Sequence, residues 1–64
     1  MTNLLSIISK HTKNYIVNEE YRYIDFVLKG NSKLESKLKE NGIETVRYNS
    51  YFKGNTLKIV RIRF

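Results

Sequence analysis

Arg47, Lys53, Lys58, Arg61 and Arg63 fall between residues 43 and 64 against one acid, Glu44, and Tyr48, Tyr51, Phe52 and Phe64 are interleaved with them. Cations follow phosphates and aromatic rings stack on bases, at ~1–3 kcal/mol per base, so this mixture suits single-stranded nucleic acid. Arg47, Lys58, Arg61 and Arg63 are the candidate phosphate contacts. Tyr21, Tyr23 and Tyr48 are the candidate stacking residues. A secondary basic patch is formed by Lys29, Lys33 and Lys37, the last two one helical turn apart. Glu35 and Glu40 interrupt that patch, and Glu35 with Lys39 makes an ordinary i,i+4 pair, so a solvated helix face is its preferred account.

Catalytic chemistry has thinner support. His11 is the only histidine, and no serine or acid is spaced to make it part of a triad. The carboxylates Glu19, Glu20, Asp25, Glu35, Glu40 and Glu44 show no metal-ligand spacing, and there is no cysteine for zinc. No phosphate-binding glycine loop or dinucleotide fingerprint occurs. The expectation is a non-enzymatic protein with no metal and no cofactor. Small RNA-cutting toxins work with Arg, Lys, His and Tyr side chains on a sheet, so residue types alone leave that alternative open.

The chain has 64 residues, 12 Lys or Arg and 6 Asp or Glu, for a formal net charge of +6. So large an excess on so short a chain favours a polyanionic partner: nucleic acid, an anionic membrane surface or an acidic protein face. A chain this size buries only about 60% of its unfolded surface, so stability rests on packing, self-association or a partner. Without cysteine no disulfide staples it, which fits a cytoplasmic setting. No apolar run reaches the ~18 residues of a membrane span, and the first residues lack the pattern of a signal peptide. The absence of proline and the scarcity of glycine argue against a flexible linker.

The elements that must position these side chains follow from periodicity. Leu4, Leu5, Ile8, His11, Thr12 and Tyr15 share one side of a helix over residues 3–15, with Thr2 or Asn3 as cap. Tyr15-Ile16-Val17 either extends that helix or begins a short extended segment. Residues 21–29 form a strand with Ile24, Phe26 and Leu28 on its core side and Tyr21, Tyr23, Asp25 and Val27 opposite. Ser32 and Glu35 form a capping box for a helix over 33–40, stopped by Asn41-Gly42. Residues 43–52 and 56–64 form two further strands. Gly54-Asn55 is a good two-residue turn between them, and Lys53-Gly54-Asn55 as a three-residue loop shifts the register.

The result is one small basic α+β domain over 1–64, in the order α-β-α-β-β. Its three-stranded, mostly antiparallel sheet has the order 1-3-2, with two helices on one face. The last strand is ambiguous: Leu57 and Ile59 lie on one side and Val60, Ile62 and Phe64 on the other. A bulge near Ile59-Val60, or a sheet apolar on both sides, reconciles them. With Val60, Ile62 and Phe64 turned to the helices, Arg61 and Arg63 share the open face with Tyr21, Tyr23 and Tyr48. A Gly54-Asn55 turn sets Tyr48 opposite Arg61 and Val46 opposite Arg63. Asp25 is placed to pair with Arg61 or Arg63 across strands.

The leading expectation is nucleic-acid binding, RNA or single-stranded DNA. The rival is a small phage- or plasmid-type accessory or inhibitor protein that docks on an acidic surface of a larger host protein. Peripheral membrane binding through the first helix is weaker, because that helix carries only Lys10 and Lys13. An apolar sheet edge can also pair with a second copy to give a homodimer.

Overall fold

Ile24 and Phe26, two residues apart on one strand, are buried together with Val60 and Ile62 of another. Their common face is closed by Leu4 and Ile8 from the first helix and Leu34 and Leu38 from the second, which makes one buried cluster. A fully buried side chain of this size contributes about 1.5–3 kcal/mol, so eight of them organise the molecule. This computed structural model describes residues 2–64. Its elements are α1 (Thr2–His11), β1 (Tyr15–Asn18), β2 (Tyr23–Val27), α2 (Ser32–Glu40), β3 (Val46–Phe52) and β4 (Asn55–Arg63). The sheet is antiparallel throughout, in the order β1-β2-β4-β3.

The fold is therefore α-β-β-α-β-β with four strands, one more than the sequence suggests. The extra strand is the Tyr15-Ile16-Val17 segment. Helix α1 stops four residues early: the Thr12 N–H still donates to the Ile8 carbonyl, and the Asn14 N–H turns to Thr12 Oγ1. Beyond that point β-branched Ile16 and Val17 find the open edge of β2 and pair with Asp25 and Ile24, a better outcome for such residues than another helical turn. A cap from Thr2 or Asn3 falls on side chains outside the described residues.

Strand β2 starts at Tyr23, not at residue 21, because residues 19–22 form the β1–β2 turn. The Tyr21 N–H donates to Asn18 Oδ1 at 2.9 Å, and Arg22 takes a positive φ of 57°. Arg22 also clips the end of β4: its carbonyl accepts the Phe64 N–H, and its Nε donates to the Phe64 carbonyl at 3.1 Å.

The expected capping box does not form. Asn31 occupies the N-cap without a side-chain cap bond, its Nδ2 donating instead to the Val27 carbonyl. Ser32 is the first helical residue, and the Glu35 side chain is drawn to Arg47. The far end of α2 behaves as the sequence suggests. Gly42, at φ +74°, donates to the Lys39 carbonyl while Ile43 donates to that of Leu38, the paired bonds of a left-handed helix stop.

The β3–β4 turn is Lys53-Gly54, with φ of 51° and 79°, and Phe52 faces Asn55. Positive φ at both central residues gives the turn whose twist matches the flanking strands. The register thus sets Tyr48 opposite Ile59 and Val46 opposite Arg61, two places from the Gly54-Asn55 expectation. An even shift leaves every side chain on its expected face, because strand side chains alternate with period two. Both β4 ladders run without interruption, so no bulge separates Ile59 from Val60. The sheet is apolar on both sides, with Leu57 and Ile59 half-buried on the face away from the helices.

Candidate nucleic-acid interface

That helix-free face is built by parity. Residues opposite each other in the antiparallel ladders share a face, so Ile16, Asn18, Tyr23, Asp25, Tyr48, Arg61 and Arg63 lie on it together. At its centre Arg61 Nε donates to Asp25 Oδ1 at 2.8 Å and a second guanidinium nitrogen to Oδ2 at 2.9 Å. The same guanidinium lies 3.7 Å from the Tyr23 ring centroid and 4.8 Å from that of Tyr48. The Tyr48 hydroxyl donates to Asp25 Oδ2 at 2.6 Å, and Asn18 Nδ2 donates to the Tyr23 hydroxyl at 3.3 Å. Burial pushes the Tyr48 phenol up, and its neighbour Asp25 adds to the effect. The hydrogen bonds to Asp25 hold Arg61 more firmly protonated than a free arginine. Within this cluster the Asp25 carboxylate balances the Arg61 charge, and Arg61 Nε and one terminal nitrogen are taken up by Asp25 and Tyr48.

Arg47 lies on the other face. It is opposite Val60 in the register and reaches down to α2, where Nε donates to Glu35 Oε2 at 2.7 Å and a terminal nitrogen meets Oε1. The Glu35 side chain is 5% exposed and that of Arg47 52%. Hydrogen bonding to Arg47 holds Glu35 below its ordinary value, outweighing the opposing effect of burial. The carboxylate in turn raises Arg47.

The remaining candidates separate by their place along the strands. Tyr21 is exposed in the β1–β2 turn, off the face. Arg63 is on the face but at its far end, beside Glu44 and Val46. Lys58 is exposed on the helix side of β4, opposite Asn49. Lys29 follows β2, Lys33 opens α2, and Lys37 lies in the last turn of α2.

Strand direction sorts the charge that is left. Two ion pairs, Arg47–Glu35 and Arg61–Asp25, occur among the described residues. The carboxylates outside them are Glu19 and Glu20 in the β1–β2 turn, Glu40 at the end of α2 and Glu44 before β3. All four gather at the end of the sheet where β1 and β4 finish, among Arg22, Lys37, Lys39 and Arg63. Toward the opposite end are Lys13 before β1, Lys29 after β2, Lys33 at the start of α2 and Lys53 in the hairpin turn, with Lys58 of β4 level with the end of β2 and the middle of β3. Lys10, in the last turn of α1, leads toward the same end. Nothing in local spacing marks Lys13 or Lys53 as a site residue; they join Lys29, Lys33 and Lys58 only through the strand directions.

Next to this lysine end the open face dips into a depression of about 470 Å³, walled by Ile16, Val27, Ile59 and Tyr48, with Asp25 in its floor and Lys13 at its rim. His11 is exposed, its Nδ1 2.9 Å from the Ile7 carbonyl oxygen. No cluster of His, Asp and Glu among the described residues suits a metal ion, and no described helix is long and apolar enough to cross a membrane. No family model matches this sequence, and no curated protein or solved structure matches it.

Proposed function

We propose that the protein is a non-enzymatic binder of single-stranded nucleic acid, RNA or DNA, which it meets with the lysine end of the sheet and the adjoining depression. The observation that carries this is the charge partition: Lys13, Lys29, Lys33, Lys53 and Lys58 share one end with no unpaired carboxylate among them. Lys13 stands at the rim of the depression on the open face, and Lys58 is exposed on the helix side of β4. A base leaving the strand beside Lys13 enters the depression and packs against the Tyr48 ring and the aliphatic walls. Arg47 and Arg61 act in this account as structural residues.

The test is titration of labelled single-stranded RNA, single-stranded DNA and duplex DNA at several salt concentrations. Binding should weaken steeply with salt. Replacing Lys13, Lys29 and Lys58 together by Gln should lower the slope by about 0.7 for each phosphate no longer neutralised. Absence of binding to every probe at low salt overturns the proposal.

One observation favours a second reading, the small accessory protein that docks on a larger one. Ile16, Val46 and Phe52 are exposed apolar residues on the same open face, around a polar cluster already neutral in itself. A stoichiometric protein complex that survives high salt and nuclease treatment would decide for it.

A further inference from the structure

Strand β3 is an edge without the usual protection. It is seven residues long, VRYNSYF, with no proline, no lysine and no bulge, and its one cation, Arg47, is held by Glu35. Edges of this kind are otherwise shortened, charged or bent to prevent pairing. The other edge, β1, has only four residues.

The hairpin fixes which groups β3 offers. Phe52 and Asn55 close a two-residue turn, so Phe52, Ser50, Tyr48 and Val46 exchange their main-chain bonds with β4. Arg47, Asn49 and Tyr51 therefore turn N–H and C=O to the free edge. A second copy of the strand, run antiparallel, overlaps all seven residues only in the register centred on Asn49. That register makes Asn49 face its own counterpart, Arg47 face Tyr51, Tyr48 face Ser50 and Val46 face Phe52. Every outward main-chain group then meets another outward group, as an antiparallel ladder requires.

The side chains match as well. Val46, 52% exposed, covers Phe52, 59% exposed, and the Arg47 stem meets Tyr51, at 81% the most exposed of the large apolar residues. No like charges face each other. Carried past the strand ends, the register brings Glu44 of one copy beside the Lys53-Gly54 turn of the other, an attraction between opposite charges at each end. We propose that β3 is a self-association edge, and that two copies pair through it about a twofold axis at Asn49 to form a continuous eight-stranded sheet. This rests on a different observation from the nucleic-acid proposal, the unprotected main chain of β3, although Tyr48 and Ser50 of that strand also line the depression and Lys53 stands at its end.

Two measurements on the full chain test it. Sedimentation equilibrium should show the mass doubling as concentration rises, and the doubling should persist at high salt, since main-chain bonds and apolar contacts carry the pair. The chain has no cysteine, so Asn49→Cys introduces a unique thiol. Paired Cα atoms at a hydrogen-bonded position lie ~5.5 Å apart, within the span a disulfide closes. Asn49→Cys should oxidise to a covalent dimer several-fold faster than Tyr51→Cys, whose counterpart in this register is four residues out of line. A monomer at every concentration overturns the proposal, and so does a dimer in which Tyr51→Cys cross-links as fast as Asn49→Cys.

Discussion

The guanidinium of Arg61 lies over the ring of Tyr23, 3.7 Å from its centroid, while two of its nitrogens donate to Asp25. These contacts brace the strands against one another. Asp25 on β2 and Arg61 on β4 are directly opposed, and Tyr48 on β3 closes the group, so the cluster ties three strands together on the side the helices do not cover.

Asp25→Asn should lower stability by about 2 kcal/mol, the loss expected for hydrogen bonds to a charged group whose partner is then left unmatched. Denaturant unfolding of Asp25→Asn, Arg61→Met and the double variant measures the coupling. Additive effects of the two single changes would show that the pair contributes nothing jointly. Nucleic-acid binding by Arg61→Met, at temperatures where it is folded, should keep the salt slope of the unaltered protein.

Glu35 gives stability a defined acid limb. Its folded value is lowered from an ordinary 4.5 by Arg47, so the ionised form is favoured in the folded state. The stabilisation it gives is complete above about pH 5 and is lost as pH falls through the lowered folded value. Arg47 stays charged over this range. Glu35→Gln should therefore unfold with a shallower dependence on pH between neutral and strongly acid solution. Identical pH profiles for the two proteins would refute the assignment.

Lys53 holds φ at 51° in a turn where Asn or Gly is at ease. Lys53→Asn should stabilise the protein by about 0.5–1 kcal/mol, visible as a rise of a few degrees in Tm. Gly54→Ala should do the reverse by roughly 1 kcal/mol. An added Cβ at Gly54 has nothing within 4 Å, so the cost comes from its φ of 79° alone.

Ile62 and Ile59 are the same residue type on one strand, facing opposite sides. Ile62 is wholly buried under the helices, and Ile59 is half-buried on the open face. Ile62→Ala should cost about 2–5 kcal/mol, enough to unfold most of a chain this small. Ile59→Ala should cost on the order of 1 kcal/mol. Equal losses, by thermal or urea unfolding, would contradict the two-faced sheet.

The pattern of Ile24, Phe26, Val60 and Ile62 is legible from alternation alone, and with it the core face, the antiparallel β2–β4–β3 arrangement and the stop at Asn41-Gly42. Strand β1 is not, because Tyr15-Ile16-Val17 fits a helix tail equally well until an unpaired edge of β2 competes for it. The capping box fails for a related reason: local geometry favours it, but Arg47, twelve residues away from Glu35, binds the carboxylate more strongly through two charge-assisted bonds. Tyr23, Tyr48 and Arg61 share a face as expected, yet their mutual contacts are set by the twist and register of three strands, which sequence spacing does not encode. The lysine end is hidden for the same reason: Lys13, Lys29, Lys53 and Lys58 are far apart along the chain and converge only once the direction of each strand is known.

Lys13, Lys29, Lys33, Lys53 and Lys58 gather toward one end of the strand axis, while at the other Glu19, Glu20, Glu40 and Glu44 offset Arg22, Lys37, Lys39 and Arg63, so the excess positive charge is off centre and the molecule has a permanent electric dipole. Near a phosphate chain, within a screening distance of about 8 Å, such a body is turned as well as attracted, so it arrives with its cationic pole foremost and needs less rotational searching before contact. In an antiparallel pair joined at β3 the two dipoles oppose and cancel. What is left is a quadrupole with a cationic pole at each extremity, a shape suited to holding two stretches of polyanion at a fixed separation.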